Sequence, residues 1–266
     1  MIVFTRTLRD RQRSSLWWAA ALFGFMLFSV AFYPTVKGQA DIDEIVQDLP
    51  ASVQALFGIQ DGVSIGSAAG YLQARLFSSL YPAILVAFAI TAGASAVGSA
   101  EEEGAMELLL SNPIARHRAA IERFAAMAAI LAALTAGSGV VLAIAGAPVG
   151  LFDGVSAAGV SSAIAGAGAL ALLHGAIAAS VGAWTGRRGP ALGIASGIAV
   201  AGYLGFGLMS SAGLPLLIEA ASPWYWYLHE NMAIHGANFE SWLPALVISL
   251  AIAAVGVAKF SRRDLR

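Results

Sequence analysis

Residues 76–97, LFSSLYPAILVAFAITAGASAV, decide the fold, because they form an apolar run without a single charged side chain. A helix needs about 20 such residues to cross the hydrocarbon core of a bilayer. Residues 101–118, EEEGAMELLLSNPIARHR, follow as the only strongly charged stretch between two apolar runs of that length. We call residues 101–118 the charged segment, and the chain on either side of it has the pattern of a membrane protein.

The composition of the whole chain supports this assignment. Of its 266 residues, 58% are hydrophobic and only 12% are charged, whereas a water-soluble domain of this size exposes far more charge. Hydrocarbon offers no partner to an unpaired backbone group, so the spanning elements are expected to be helices. We predict an all-α membrane protein with six transmembrane helices in one domain, residues 1–266. The six apolar runs are Leu16–Tyr33, Leu76–Val97, Ala125–Ala147, Val160–Trp184, Ala191–Met209 and Trp242–Phe260.

Basic residues indicate how these helices are oriented. Of the 15 lysine and arginine residues, only Lys37 and Arg75 fall on one side of the runs. The others flank the opposite side: Arg6, Arg9, Arg11, Arg13, Arg116, Arg118, Arg123, Arg187, Arg188, Lys259, Arg262, Arg263 and Arg266. Lysine and arginine gather on the cytoplasmic side of membrane proteins. Both termini and the charged segment are therefore predicted to be cytoplasmic, with the chain in the plasma or inner membrane.

Three further segments lie outside the runs. Residues 1–15 are expected to form an amphipathic segment on the inner surface, and residues 211–241 a partly inserted outer loop with an aromatic anchor at the membrane interface. In the long outer loop, residues 34–75, four apolar residues recur at helical spacing: Ile42, Ile45, Val46 and Leu49. An amphipathic outer-loop helix is predicted there. The pattern leaves open whether it covers the surface or acts as a gate.

A ridge of small residues follows one face of the fifth run. Its members recur every four residues: Gly193, Gly197, Ala201 and Gly205. Small residues let helix backbones approach closely, which is how helices associate inside a membrane. Such a ridge usually packs within one chain, but a dimer contact has the same pattern.

The charged segment has the features of a short helix. Carboxylates at its start complement the helix dipole, and Asn112 before Pro113 favours ending the helix there. The residues between Ala105 and Leu110 give it an apolar patch, which needs cover from a partner or a membrane. The acidic flank argues against anionic lipid, so a soluble partner is favoured. The alternative is an ordinary turn with a solvated run of charges.

The run E-E-E-G-A-M-E-L-L-L-S-N-P-I-A-R is similar to the signature of the first cytoplasmic loop of type-2 ABC transporter permeases, the membrane subunits of many exporters. The likeness extends to a Leu-Pro-x-x-x-x-x-Leu-Phe-Gly run at Leu49–Gly58 and to a Ser-Pro-aromatic element at Ser222. It implies a coupling helix that sits in a groove of a separate ATPase. The coupling residues that it implies are Glu101, Glu102, Glu103, Gly104, Met106, Glu107, Leu109, Leu110, Pro113 and Arg116.

The resemblance also implies the partners. Two copies of an ABC ATPase subunit and a second permease chain, identical or different, would complete the transporter in the lipid bilayer, with ATP and magnesium bound to the ATPase. This chain has no G-x-x-x-x-G-K-[ST] phosphate loop, since neither Lys37 nor Lys259 follows a glycine. We therefore expect no catalytic residue, no cofactor in this chain and no nucleic-acid partner.

Histidines are the remaining candidates for a site. His174 falls inside the fourth run, where an ionisable side chain is costly and indicates a role on the translocation path. The plainer alternative is a neutral histidine that is hydrogen-bonded to a neighbouring helix. His229 and His235 lack the i, i+4 spacing of a zinc-protease motif, and the chain contains no cysteine, so no metal site is expected.

These observations predict the transmembrane subunit of an ATP-driven exporter. Few charges occur in the six runs, which favours an amphipathic or apolar cargo such as a drug, antibiotic, peptide or lipid. An ATP-independent transporter or channel is the first alternative, but it would need carboxylates or broken helices in mid-membrane. A membrane scaffold protein is the second.

Overall fold

A computed structural model describes residues 2–39, 43, 45–46, 48–59, 63–102, 104, 115–212 and 222–263. These residues form helices and turns, without a strand among them. Six helical segments are long and apolar enough to cross a membrane, and we number them spans 1 to 6: Ile2–Val36, Ala68–Ser99, Arg116–Val149, Ala157–Thr185, Arg188–Leu208 and Leu243–Arg262. Within the described residues, the predicted helical class is confirmed, and so is the prediction of six helices with the length and composition to cross a membrane.

Several helices are composite or lie between the spans. Span 2 consists of the helix Ala68–Tyr71, a π-helical segment Leu72–Phe77, the helix Leu80–Ala94 and a second π-helical segment Ser95–Ser99, and the short helix Ala100–Glu102 follows it directly. Span 3 is the helix Arg116–Gly146 with a 3₁₀ turn at Ala147–Val149, and the helix of span 5 continues to Ala212. The short helices are Ala51–Leu56, Pro223–Leu228 and Met232–His235. We call Ala51–Leu56 the outer-loop helix; it follows the predicted amphipathic helix at Ile42–Leu49 and is a separate element, and Ile42 of that predicted helix lies outside the described residues.

Polar and small residues set the ends of span 4. The hydroxyl of Ser156 accepts the backbone N–H of Gly159 at 3.3 Å, which satisfies one of the free donors of the first turn. Gly186 ends the helix with a φ of 68°, a left-handed conformation that glycine adopts without steric cost. Span 4 therefore begins and ends where its sequence supplies caps.

Span 4 lies at the centre of the bundle and contacts spans 2, 3, 5 and 6. In their most apolar windows, 72% of the residues of span 4 and 67% of those of span 2 are buried, against 22% in spans 1 and 6. The outer spans expose large apolar side chains such as Trp17, Ile144 and Val247. Exposure of this kind fits a bilayer, which provides the apolar surroundings that water does not.

Glycines bring spans 2 and 4 into close contact. A Cβ atom on Gly93 would lie 2.2 Å from the carbonyl oxygen of Gly175. No other residue fits at this crossing, because real Cβ atoms do not approach backbone so closely. Small residues allow such contact between membrane helices, where dispersion forces rather than the hydrophobic effect hold helices together.

The first two spans are longer than their apolar runs. Span 1 is one unbroken helix from Ile2, so the basic residues of segment 1–15 belong to the same helix as the membrane-length run. Span 2 begins at Ala68, eight residues before the predicted start, and Arg75 lies within it with an exposed side chain. Residues 1–15, which are expected to form an amphipathic segment on the inner surface, thus continue directly into the membrane-length run, and residues 68–75 of the expected outer loop are helical.

Three members of the small-residue ridge of span 5, Gly193, Gly197 and Ala201, face away from the rest of the chain, whereas Gly205 is half-buried. A Cβ atom on Gly193 or Gly197 would meet nothing within 4 Å, and Ala201 is exposed. Packing within the chain falls instead on Ala191, Ala195 and Ala199, which are buried. Of the two alternatives that the pattern leaves open, the intrachain contact does not hold for Gly193, Gly197 and Ala201, because another set of small residues with the same spacing faces inward.

Two of the aromatic residues after Ser222, Trp224 and Tyr227, lie inside the protein, whereas Tyr225 and Trp226 are half-buried. Ser222 caps the helix Pro223–Leu228 by accepting the N–H of Trp224, whose indole donates to the carbonyl of Ala199 at 2.9 Å. Trp224 and Tyr227 are each 3% exposed, so they do not form the expected anchor at the membrane interface. Burial raises the pKa of Tyr227 well above its ordinary value, which keeps the phenol neutral.

Candidate functional site: the base of the charged segment

The structure describes the two flanks of the charged segment. Glu101 and Glu102 lie in the short helix that directly follows span 2, Gly104 follows them in a turn, and Arg116 begins span 3. The other predicted coupling residues lie outside the described residues: Glu103, Met106, Glu107, Leu109, Leu110 and Pro113. The structure therefore describes the base of the charged segment, by which we mean its two flanks next to spans 2 and 3.

Glu101 forms an ion pair with Arg263 at the end of span 6. The guanidinium Nη2 of Arg263 donates to the carboxylate Oε2 of Glu101. The side chain of Glu101 is only 5% exposed, and that of Arg263 is 22% exposed. Charges removed from water in this way are stable only with a well-placed partner, and removing that partner typically costs about 3–5 kcal/mol. The pair thus fixes the start of the charged segment to span 6.

Arg116, at the other flank, is tied to the same residue. Its guanidinium Nη1 donates to the backbone carbonyl of Arg263 at 2.7 Å. Arg263 also donates through Nη1 to the carbonyl of Trp184 at 3.4 Å, in the last turn of span 4, where helix carbonyls lack partners in their own helix. We call the contacts among Glu101, Arg116, Trp184 and Arg263 the Arg263 junction. It joins the ends of spans 2, 3, 4 and 6.

Gly186 leaves the space that the junction needs. A Cβ atom there would lie 2.7 Å from Oε1 of Glu101 and 2.9 Å from Nη1 of Arg263. Its φ of 68° is also unfavourable for any residue with a side chain. The cap that ends span 4 and the ion pair beside it therefore depend on the same glycine.

An apolar cluster supports the junction from the membrane side. Phe260 is fully buried there, one turn before Arg263, and it packs with residues of spans 1 to 4: Val3, Val97, Ala119, Ala120 and Ala183. Two polar contacts add to it. Arg123 donates to the carbonyl of Ala96 at 2.9 Å, and Glu122 accepts the N–H of Phe4 at 3.0 Å. The end of span 6 is thus packed against residues of spans 1 to 4.

A second feature lies between spans 2 and 5. A cavity of about 450 Å³ has walls that are almost entirely apolar, including Val86 and Ile90 of span 2 and Val200 of span 5. Val200 is 57% exposed, so the cavity opens sideways rather than being enclosed. Phe57, next to the outer-loop helix, and Tyr203 also line it. The sequence gives no signal for this cavity, since residues that line it resemble those that face lipid.

Tyr203 connects the outer-loop helix to the two spans. Its hydroxyl lies 3.1 Å from the carbonyl oxygen of Leu56 and 3.2 Å from that of Ser78. Leu56 packs closely on span 5, where a Cβ atom on Gly207 would meet its side chain at 2.4 Å. The outer-loop helix therefore rests against span 5 beside the cavity.

Comparison with known families decides the classification. The model of the ABC-2 family transporter protein matches residues 1–265, nearly the whole chain. The chain belongs to the ABC-2 transporter family. None of the curated proteins matches it. Members of this family are membrane subunits that work with a separate ABC ATPase, so the type-2 ABC permease predicted from the charged segment is confirmed.

His174 of this permease is fully buried in span 4. Its Nδ1 atom lies 2.9 Å from the carbonyl oxygen of Leu170, one turn earlier in the same helix. The expected hydrogen bond to a neighbouring helix is therefore wrong for this nitrogen. The Nε2 atom has no partner among the described residues, and the ring lies 6.3 Å from that of Trp224. A role of His174 on the translocation path stays a prediction.

The resemblance implies coupling roles for Glu101 and Arg116 of the permease, but none for Arg263. In the sequence, Arg263 is only one of many basic residues that indicate orientation. Its position directly after the last turn of a spanning helix is the available signal, because a cation near helix ends can satisfy free carbonyls. Its carboxylate partner is 162 residues away in sequence, which no local pattern reveals.

Proposed function

We propose that this permease is the membrane subunit of an ATP-driven exporter and that the charged segment couples it to the ATPase. The carrying observation is the Arg263 junction, in which one residue contacts both flanks of the segment. A force applied to the segment would reach spans 2, 3, 4 and 6 together. This favours transmission to the whole bundle over a loop that moves by itself.

In the proposed mechanism, two ATPase subunits close on ATP and push against the charged segments of two permease chains. The termini and the segment face the cytoplasm of a plasma or inner membrane, as the distribution of basic residues favours. The permeases then rearrange by rigid-body movement and open a path to the outside. ATP and magnesium bind the ATPase, while this chain supplies the moving helices.

The cavity between spans 2 and 5 is the proposed entry for cargo. Its apolar walls and lateral opening suit an amphipathic or apolar molecule that arrives from the bilayer. Polyanions are disfavoured, because these walls offer no cation to pair with them. Export is the direction that fits cargo taken up within the membrane.

A second permease chain would complete the path. The exposed ridge of Gly193, Gly197 and Ala201 lies on span 5, which also supplies Val200 to the cavity. Small residues on an exposed helix face permit close contact with another helix. Two chains that meet along these ridges would bring their cavities together.

Co-purification with the ATPase tests the coupling. Glu107→Lys and Leu109→Asp should leave the protein in the membrane and reduce the bound ABC ATPase at least about tenfold, because a buried charge mismatch costs more than 1.4 kcal/mol. Glu240→Lys, near the start of span 6, is the matched control and should retain the ATPase. Equal retention in all variants would contradict coupling through the segment. A wild-type chain that binds no ATPase would favour a scaffold or a self-sufficient transporter.

A further inference from the structure

A groove lies at the ends of spans 4 and 6, beside the Arg263 junction. Its volume is about 580 Å³, and it is lined by Trp184, Val255, Ala258, Lys259, Arg262 and Arg263. Unlike the cavity between spans 2 and 5, it combines a basic rim with an apolar wall. No step of the proposed transport mechanism uses it.

Two cations of the rim are available to a ligand. Lys259 and Arg262 are exposed, and neither forms an ion pair or side-chain hydrogen bond among the described residues. They are three residues apart in a helix, so their side chains lie on the same face. Arg263 differs from them, because its guanidinium is already engaged by Glu101 and Trp184. The unpaired positive charge of the groove therefore belongs to Lys259 and Arg262.

The wall below the rim is apolar and open. Val255 is 54% exposed and lies one helical turn before Lys259, with Ala258 beside it on the same face. On the opposite side stands Trp184, whose ring is 51% exposed and whose indole N–H has no acceptor among the described residues. Tryptophan prefers the level of lipid headgroups, where its apolar ring and its polar N–H are both satisfied.

The order of these groups along the helix points to a particular ligand. Span 6 ends at Arg262 and span 4 at Thr185, so the cations stand at the membrane boundary and Val255 stands deeper in it. A phosphate on Lys259 and Arg262 would leave an attached acyl chain against Val255 and Ala258. The acidic surface of a soluble protein could use the cations, but it would leave the apolar wall and Trp184 uncovered.

We propose that this groove is a binding site for an anionic phospholipid. The headgroup phosphate is held by Lys259 and Arg262, the indole N–H of Trp184 donates to a headgroup oxygen, and one acyl chain covers Val255 and Ala258. Basic pockets between spanning helices recognise anionic lipids through this combination of charge and apolar contact. The site does not depend on the proposed coupling to an ATPase.

Native mass spectrometry of the detergent-purified protein tests the site. Wild type should retain added phosphatidylglycerol in preference to phosphatidylcholine. Lys259→Ala with Arg262→Ala should reduce the bound phosphatidylglycerol about tenfold, because cations near an anionic headgroup each strengthen binding. Arg9→Ala with Arg13→Ala is the matched control: it removes two exposed cations of span 1 outside the groove and should change nothing.

Three results would overturn the proposal. The first is equal retention of the two lipids by wild type, and the second is equal loss in both double variants, which would indicate general charge attraction. The third is displacement of phosphatidylglycerol by millimolar inorganic phosphate, which would indicate a phosphate site without a role for the acyl chain. Val255→Asn provides a further arm: it should weaken lipid retention by making the wall polar, while adding no charge beside the two cations.

Discussion

The two features beside span 2 differ in how they are held together. At the base of the charged segment, the Arg263 junction joins four spans through directional contacts to charged groups, and the Glu101 side chain is 5% exposed. Between spans 2 and 5 the walls are apolar, and Leu80 and Leu204 are 51% and 49% exposed. Hydrogen-bonded ion pairs hold a single geometry, whereas apolar contacts can slide. We therefore expect the base to move as a unit and the cavity to change shape.

Breaking the ion pair should have the largest effect. Arg263→Glu would place a second carboxylate beside the buried Glu101, and we expect the free energy of unfolding to fall by about 3 kcal/mol. Chemical denaturation in detergent micelles measures this loss. Arg262→Glu makes the same change of charge on the neighbouring exposed residue, and it should stay within about 0.5 kcal/mol of wild type. Equal losses in the two variants would remove the special role of Arg263.

Filling the space at Gly186 should have an intermediate effect. Gly186→Ala adds a Cβ atom 2.7 Å from Oε1 of Glu101, in a residue with a φ of 68°, and should cost about 2 kcal/mol. Gly189→Ala is the control, because its Cβ atom would meet nothing within 4 Å and alanine favours a helix. The same denaturation experiment separates them. Equal stability of Gly186→Ala and Gly189→Ala would contradict the close packing of Gly186 against Glu101 and Arg263.

A substitution on the exposed ridge of span 5 should have the smallest effect on stability, but it should report directly on the association of two chains. The chain has no cysteine, so a single introduced thiol reports a contact between two copies. Gly197→Cys should give a disulfide-linked dimer under mild oxidation in membranes, with almost no change in the stability of the monomer. Ala195→Cys, on the buried face, should give none, because that residue is fully buried in its own chain. Cross-linking of both variants, or of neither, would contradict a dimer contact at the ridge.

The sequence predicts the six spans because each carries enough apolar residues to cross a bilayer, and hydrocarbon permits only helices of that length. Their ends are predicted less well. Span 2 begins eight residues before the start predicted from its apolar run, because Ser67 caps a helix there. The hydroxyl of Ser67 accepts the N–H of Gly70 at 3.1 Å. A hydropathy pattern shows where a helix is apolar, but not where its backbone groups first find partners.

The face that packs inward could not be predicted for span 5. The residues at Ala191, Ala195 and Ala199 and those at Gly193, Gly197 and Ala201 have the same spacing and similar size. Only tertiary contacts distinguish them, including the bond from Trp224 to the carbonyl of Ala199. At the candidate site, the resemblance supplied Glu101 and Arg116 but not their shared partner, because contacts between distant residues leave no periodic signal.

Span 1 has 35 residues, so at 1.5 Å per residue it is about 52 Å long, against about 30 Å for the hydrocarbon of a typical bilayer. The surplus must be taken up by tilt or by turns that stand outside the hydrocarbon. Its first turn is fastened to span 3, where Glu122 accepts the N–H of Phe4. A thicker or thinner membrane therefore changes the inclination of a helix whose end is attached beside the charged segment.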